Sequence, residues 1–239
     1  MRAGPFAFTP GLVPTLAAAA LVALTVSLGV WQKHRGDGKE RLQALYESRM
    51  AQAPLRLAGA VRSPADSAEA LLFRRVEARG RWIARGQVYI DNQVHGGRAG
   101  FAVVTPLALE GGKAVLLVNR GWIERTADYP HPPPVKVPEG IVDVEGLATI
   151  PPPFLELSAD VIQGSVFQNL TIDRYRAWSG LGVLPFVVLA DAPSPGLAGL
   201  HERPDAGVAK HREYEFTWFL LAATAIALWV GLNVRRVAA

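Results

Sequence analysis

Hydrophobic and polar positions along this 239-residue chain follow two regimes, unbroken apolar runs near both ends and alternation between them. From Gly11 to Trp31 there are 21 consecutive residues without a formal charge; as a helix they would measure about 32 Å. From Phe216 to Val234 the same holds for 19 residues, or about 28 Å of helix. Either length matches the hydrocarbon core of a bilayer. Pro14 falls in the first turn of the first run, where a missing N–H costs little. The competing reading of this run is a cleaved signal peptide, since Ser27 and Gly29 are small enough to flank a cleavage site. Its apolar stretch, however, exceeds the roughly 7–15 residues of a signal core, and Arg2 is the one charge ahead of it. The pattern predicts two retained transmembrane helices.

Two spans divide the chain into an N-terminus (1–10), a first transmembrane helix (11–31), a large middle domain (32–215), a second transmembrane helix (216–234) and a C-terminus (235–239). Both termini then lie on one side. Arg235 and Arg236 favour a cytoplasmic C-terminus, whereas Lys33, Arg35, Lys39 and Arg41 pull the other way. Long loops translocate largely regardless of charge, so the expectation is an exported middle domain with both ends inside.

Within the middle domain, KERLQALYESRM places Leu42, Leu45, Tyr46 and Met50 at helical spacing, a short amphipathic helix continuing out of the first span. The signals then turn to β. FRRVEARGRWI and QVYIDNQV are rich in β-branched and aromatic residues, HGGR makes a turn, and GFAVVTPLAL returns as the second strand of a hairpin. EGG turns the chain into KAVLLVNRGWI, and IVDVEGLA alternates Ile141 or Val142, Val144 and Gly146 in a further strand. YPHPPP, IPPPF and DAPSPG are loops that no central strand tolerates. TIDRYRAWSG is a helix opened by Thr171 or Asp173 and closed by Gly180. The fold class is therefore a membrane protein of the α+β type: two transmembrane helices flank one exported domain, a mostly antiparallel sheet or small barrel with a few short helices.

Composition narrows the chemistry. The chain has 25 Lys+Arg and 21 Asp+Glu; without Arg2, Arg235 and Arg236 the middle domain keeps 22 basic residues against the same 21 acidic ones, a net of +1. That balance argues against a nucleic-acid partner. Cysteine is absent, which excludes disulfides, thiolate metal sites and a cysteine nucleophile. There is no HExxH, P-loop, GxSxG or dinucleotide-binding fingerprint. Five histidines remain: His34, His95, His131, His201 and His211. His95 belongs to a turn, His131 to a proline loop and His201 to the loop before the second span, where solvated histidines are ordinary.

Four short patterns nevertheless form an ordered set. LGVWQKHR ends the first span, GGRAGFAVVTPL and LLVNRGWI lie in the β region, and HREYEFTWF opens the second span. Together they resemble the Surfeit locus protein 1 family of cytochrome c oxidase assembly factors. The residues that carry the resemblance include Trp31, Gln32 and Arg35; Gly100 and Pro106; Asn119, Arg120, Gly121 and Trp122; and His211, Tyr214 and Trp218. Lys210, Glu213, Glu215 and Phe167 depart from the family pattern. The resemblance implies a non-enzymatic helper that binds or presents haem a for insertion into oxidase subunit I, alongside other assembly factors. It would be a multi-pass protein of the lipid bilayer. The short stretch of ten residues before the first span, with no Arg- and Ser-rich presequence, adds the expectation of a bacterial plasma (inner) membrane and a periplasmic domain.

Haem a carries a long isoprenoid tail, so its site should straddle membrane and water. Continuing the second helix upstream through His211, 100° per residue puts Tyr214 and Trp218 on the histidine's face. An imidazole there is a haem-iron ligand type, and two aromatics below it offer a flat apolar wall. Arg35 or Arg120 are candidate partners for propionates. Plainer readings stand beside these: Trp31, Tyr214 and Trp218 as an aromatic belt, and Asn119–Gly121 as a strand end where Gly adopts an unusual backbone angle and Arg caps carbonyls. Two further function classes are an assembly scaffold that docks oxidase subunits without haem, and a membrane-anchored hydrolase, for which no convergent acid, base or nucleophile is visible.

Overall fold

A computed structural model describes residues 2–3, 6–57, 68–151, 162–199 and 207–236. His201 and most of the IPPPF loop lie outside the described residues. The chain forms two compact units, a helical one from Met1–Leu45 with Pro204–Ala239, and a sheet unit from Tyr46–Arg203.

In chain order the elements are β1 (Arg2–Ala3), β2 (Phe6–Phe8), α1 (Leu12–Met50), β3 (Leu55–Leu57), α2 (Ala68–Leu71), β4 (Arg75–Trp82), a 3-10 turn (Ala84–Gly86), β5 (Val88–His95), β6 (Arg98–Leu109), β7 (Val115–Glu124), β8 (Ile141–Thr149), β9 (Ile162–Gln163), β10 (Val166–Phe167), α3 (Ile172–Ser179), β11 (Val183–Ala190), α4 (Val208–Asn233) and β12 (Val234–Arg236). The short helix expected after the first apolar run is continuous with it, because no proline or cap interrupts the run between Trp31 and Met50.

In the sheet unit the strand order β4-β8-β11-β7-β6 closes on itself through β4–β6 pairing, Gly80 opposite Leu109 and Trp82 opposite Leu107. A five-stranded barrel results. β3 extends β4 in parallel, and β5, β10 and β9 extend the sheet beyond β6. Most pairings are antiparallel; β11 runs parallel to β7. Alternate residues of all five barrel strands, among them Val76, Leu107, Leu116, Val118, Val144, Phe186 and Val188, form one buried cluster inside the ring. The other faces of β5, β6, β7 and β11 form a second cluster under α3 and β10, with Phe167 and Tyr175. Buried on both faces, Val115–Val118 reads as a continuous apolar run, where Val142, Val144 and Ala148 of β8 show simple alternation.

Thr171 opens α3 by accepting the Arg174 amide hydrogen at 3.2 Å, and Gly180 closes it in the left-handed conformation at φ 67°. The Tyr175 hydroxyl donates to the Gly86 carbonyl at 2.7 Å, and burial pushes this phenol's pKa up to about 12.

Sequence reading does not anticipate β11. Pro185 sits at its irregularity: the β7 register breaks between Val183 and Val187, and pairing with β8 begins at Val187. Interrupted pairing is what lets a proline sit inside a central strand. Asn119–Gly121 is likewise inside β7 and not at its end. Ala102 pairs with Trp122 and Val104 with Asn119, so Arg120 and Gly121 together oppose Val103 in a β-bulge. Gly121 takes φ 133°, a backbone region that side chains rarely enter.

The helical unit holds α1 and α4 as an antiparallel pair. Trp229 donates its indole N–H to Thr15 Oγ1 at 3.2 Å and meets Phe8 edge-on with centroids 5.4 Å apart. Midway, Thr25, Gly29 and Ala222 are buried. At this end β12 pairs with β2, Val234 opposite Phe8. Both helices are long and apolar enough to cross a membrane by length and composition.

Candidate functional site

The polar end of the α1–α4 pair collects the first and last sequence motifs. A Cβ added at Gly29 would lie 3.0 Å from the Phe219 ring, so the absent side chain lets the helices approach there. About one turn further along α1, Gln32 meets His211 of α4: Nδ1 and Oε1 are 2.7 Å apart. Beyond them Arg212 ties the helices by charge. It donates to Asp37 Oδ1 at 2.7 Å, to Glu40 Oε1 and Oε2 at 3.0 and 2.7 Å, and to Glu215 Oε2 at 2.8 Å. A guanidinium fork held by Glu215 of its own helix and facing two carboxylates of α1 fixes the rotation of α4 about its axis better than an apolar contact does.

These surroundings set the charge of each group. Burial lowers the His211 pKa below its usual value, and Lys39, Arg35 and Lys210 lower it further by repelling a second positive charge. Arg212 moves the opposite way, raised by hydrogen bonds to Glu40, Glu215 and Asp37. Its guanidinium holds the Asp37 carboxyl below the usual carboxylate range, with Lys33 adding to the effect. His211 is thus a neutral imidazole at neutral pH, set among cations.

α4 carries His211, Tyr214 and Trp218 within one unbroken helix, so the face expected from helical periodicity exists. Tyr214 is 46 % exposed and Trp218 is half-buried. On α1, Trp31 is 51 % exposed, with the Arg35 guanidinium carbon 5.7 Å from its ring centroid. His34 is exposed.

The other two motifs are used inside the sheet unit. Gly100 pairs with Glu124, and the Pro106 carbonyl accepts the Ile83 amide hydrogen at 2.9 Å. Asn119 Oδ1 accepts the Gly121 amide hydrogen at 3.0 Å, and Trp122 donates its indole N–H to the Gln93 carbonyl at 2.8 Å. Arg120 is 1 % exposed. It donates to Ser194 Oγ, Gln87 Oε1 and the Lys136 carbonyl, each at 2.9 Å, and lies 5.3 Å over the Trp82 ring. Desolvation lowers its pKa. This arrangement removes Arg120 as a propionate partner, because its donors are committed to neighbouring oxygens and its charge is enclosed. The expected carbonyl cap is real, on Lys136. Beside it is a cavity of about 370 Å³ lined by Trp82, Ser194, Asp143, Glu145 and Asp191.

Among the described residues, no group of three or more His, Cys, Asp or Glu could hold a metal ion by itself. A single imidazole suits a metal whose other ligands come from elsewhere, as with a macrocycle. Sequence reasoning missed the Arg212 network and gave Gln32 no role. Apart from Arg212–Glu215, the partners lie more than 170 residues apart, and only the folded helix pair joins them.

A family model described as the SURF1 family matches residues 19–223, which include all four motifs. A SURF1-like protein of Monosiga brevicollis is 28 % identical over 225 residues, covering 88 % of this chain and 84 % of its own. The SURF1-like protein of Drosophila melanogaster is 26 % identical over 239 residues, with 90 % and 76 % covered. Surfeit locus protein 1 of Mus musculus is 27 % identical over 240 residues, with 90 % and 74 % covered.

Proposed function

The chain belongs to the SURF1 family, and from that membership and the geometry around His211 we propose a non-catalytic assembly factor that holds haem a for delivery to subunit I of cytochrome c oxidase. On this reading α1 and α4 span the membrane that carries the oxidase, in a bacterium the plasma membrane. The sheet unit is exported to the periplasm, and other assembly factors are its partners. Support for two spans comes from helix length and hydropathy, and for the orientation from Arg235 and Arg236 after the second run.

The observation that carries the haem reading is the placement of His211 beside Gln32, with Nδ1 and Oε1 2.7 Å apart. Burial, and then Lys39, Arg35 and Lys210, lower its pKa and so favour the neutral ring. A neutral imidazole is the form that binds iron. Haem, when bound, would supply the iron and two anionic propionates. The chain would supply His211 as an iron ligand, Tyr214 and Trp218 as apolar surface on the same helix, and Arg35, Lys39 and Lys210 as cations for the propionates.

The test is the absorption spectrum of the full chain, purified in detergent from cells that make haem a. We expect a Soret band that His211→Ala abolishes and His34→Ala leaves alone, with membrane insertion unchanged in both. A colourless parent, or a parent spectrum from His211→Ala, overturns the haem reading. Oxidase subunits co-purifying with a colourless parent would install the scaffold reading in its place.

A further inference from the structure

We propose that Gln32 is a positioning residue: its amide oxygen locks the His211 imidazole as the Nδ1–H tautomer and leaves the Nε2 lone pair to face the iron. This rests on the haem reading and goes further by naming the nitrogen that binds and the group that orients it. The 2.7 Å contact joins Nδ1 to Oε1. An amide oxygen only accepts, so Nδ1 must carry the hydrogen. A neutral imidazole has one N–H, which makes Nε2 the acceptor nitrogen.

Among the described residues, the charges that bear on His211 do not compete for that hydrogen. Arg35, Lys39 and Lys210, the cations around His211, are donors and cannot accept it. The carboxylates of Asp37, Glu40 and Glu215 are engaged by Arg212. On α1, Gln32 lies between two contacts to α4, the Gly29–Phe219 approach and the Asp37–Arg212 bond. With Gln32 held in place, its amide oxygen sets the orientation of the ring it meets. Histidines that ligate metals commonly donate their other N–H to such a group, which sets the tautomer and raises ligand basicity.

Three variants of the full chain in detergent decide the matter. Gln32→Leu removes the acceptor, and haem a affinity should fall roughly ten- to a hundredfold. Gln32→Glu keeps an acceptor and adds negative charge, so affinity should recover while the haem reduction potential moves below that of the parent. A purely packing role would give the recovery without the shift, because Glu has the shape of Gln. His211→Ala serves as the unligated reference. In haem-free parent, ¹⁵N NMR of the imidazole should report the Nδ1–H tautomer, with mixed tautomers in Gln32→Leu. An Nε2–H tautomer in the parent, or unchanged affinity in Gln32→Leu, overturns the role of Gln32 and leaves His211 as a ligand. A parent that binds no haem a overturns the underlying reading and this assignment together.

Discussion

Gly121→Ala should destabilise the sheet unit by about 2–6 kcal/mol. Two effects add. At φ 133° a Cβ brings backbone strain, about 1–3 kcal/mol. The new atom would also lie 2.7 Å from the Ala198 carbonyl oxygen and 2.9 Å from Leu197 Cβ, inside van der Waals contact. That carbonyl accepts the Trp122 amide hydrogen at 2.7 Å, and the Ala198 amide returns a bond to the Trp122 carbonyl at 2.8 Å. Pushing the segment away sacrifices both, at about 0.5–1.5 kcal/mol each. Domains of this kind have about 5–15 kcal/mol in all, so the change is severe. Gly111→Ala is the control: its φ is 80°, and no heavy atom lies within 4 Å of the added Cβ. Urea unfolding of the full chain in detergent, followed by protease resistance of the sheet unit, reads the difference. With a slope near 2 kcal/mol per molar, the Gly121→Ala midpoint should drop by about 1–3 M. Equal midpoints for the two variants would sink the bulge argument.

Arg212→Gln leaves Asp37, Glu40 and Glu215 without their shared cation, and amide exchange in residues 208–215 and 37–43 should speed up several-fold; unchanged exchange would show that the charges are incidental. The parent should lose the same protection in acid, because the folded Asp37 pKa lies below 3.8: its contribution is present above that pH and disappears as pH falls through the folded value. His211, with a folded pKa below 6.5, should bind less proton near pH 6.5 than the unfolded chain does, so its contribution to stability is full above 6.5 and lost as pH falls through the folded value. An NMR titration midpoint at or above 6.5 contradicts this, and Lys39→Glu should move the midpoint up.

What could be read in advance follows how local each cause is. β4 to β8 declare themselves through β-branched and aromatic content, the alternation of β8 and Gly turns, and α3 through Thr171 and Gly180, because the determining groups sit within a few residues. β11 does not, since Pro185 is tolerated only by a break in the β11 register against β7, an element some 70 residues earlier. Barrel closure depends on β4 reaching β6 at Gly80 and Trp82, which no local pattern encodes. At the site, the shared face of His211, Tyr214 and Trp218 comes from helical periodicity alone. The Gln32 contact does not, being a property of two helices. Arg120 misleads for a general reason: a charged residue in a motif suggests an exposed binding group, and only the fold shows it buried among Gln87, Ser194 and Lys136.

The four motifs therefore separate by the unit they build, and this decides how their loss should be interpreted. Arg120, Gly121 and Trp122 direct their bonds inward, to Gln87, Ser194, Ala198 and Gln93, so damage there lowers the amount of folded sheet unit. Gln32, Arg35, His211 and Tyr214 sit where α1 and α4 leave side chains half-buried or exposed, and Tyr214 and Trp31 offer ring surface that no packing requirement of the pair explains. Arg212 is the exception within that end, a charged residue whose donors face carboxylates of its own chain. Haem content per folded molecule is the quantity that separates the two sets. On the haem reading it should stay constant across changes in the β7 bulge, which act on protein yield, and fall with changes at Gln32 and His211, which would act on haem binding. If His211 were only an interfacial residue of a docking scaffold, both sets would register in the amount of assembled oxidase alone, with no pigment to distinguish them.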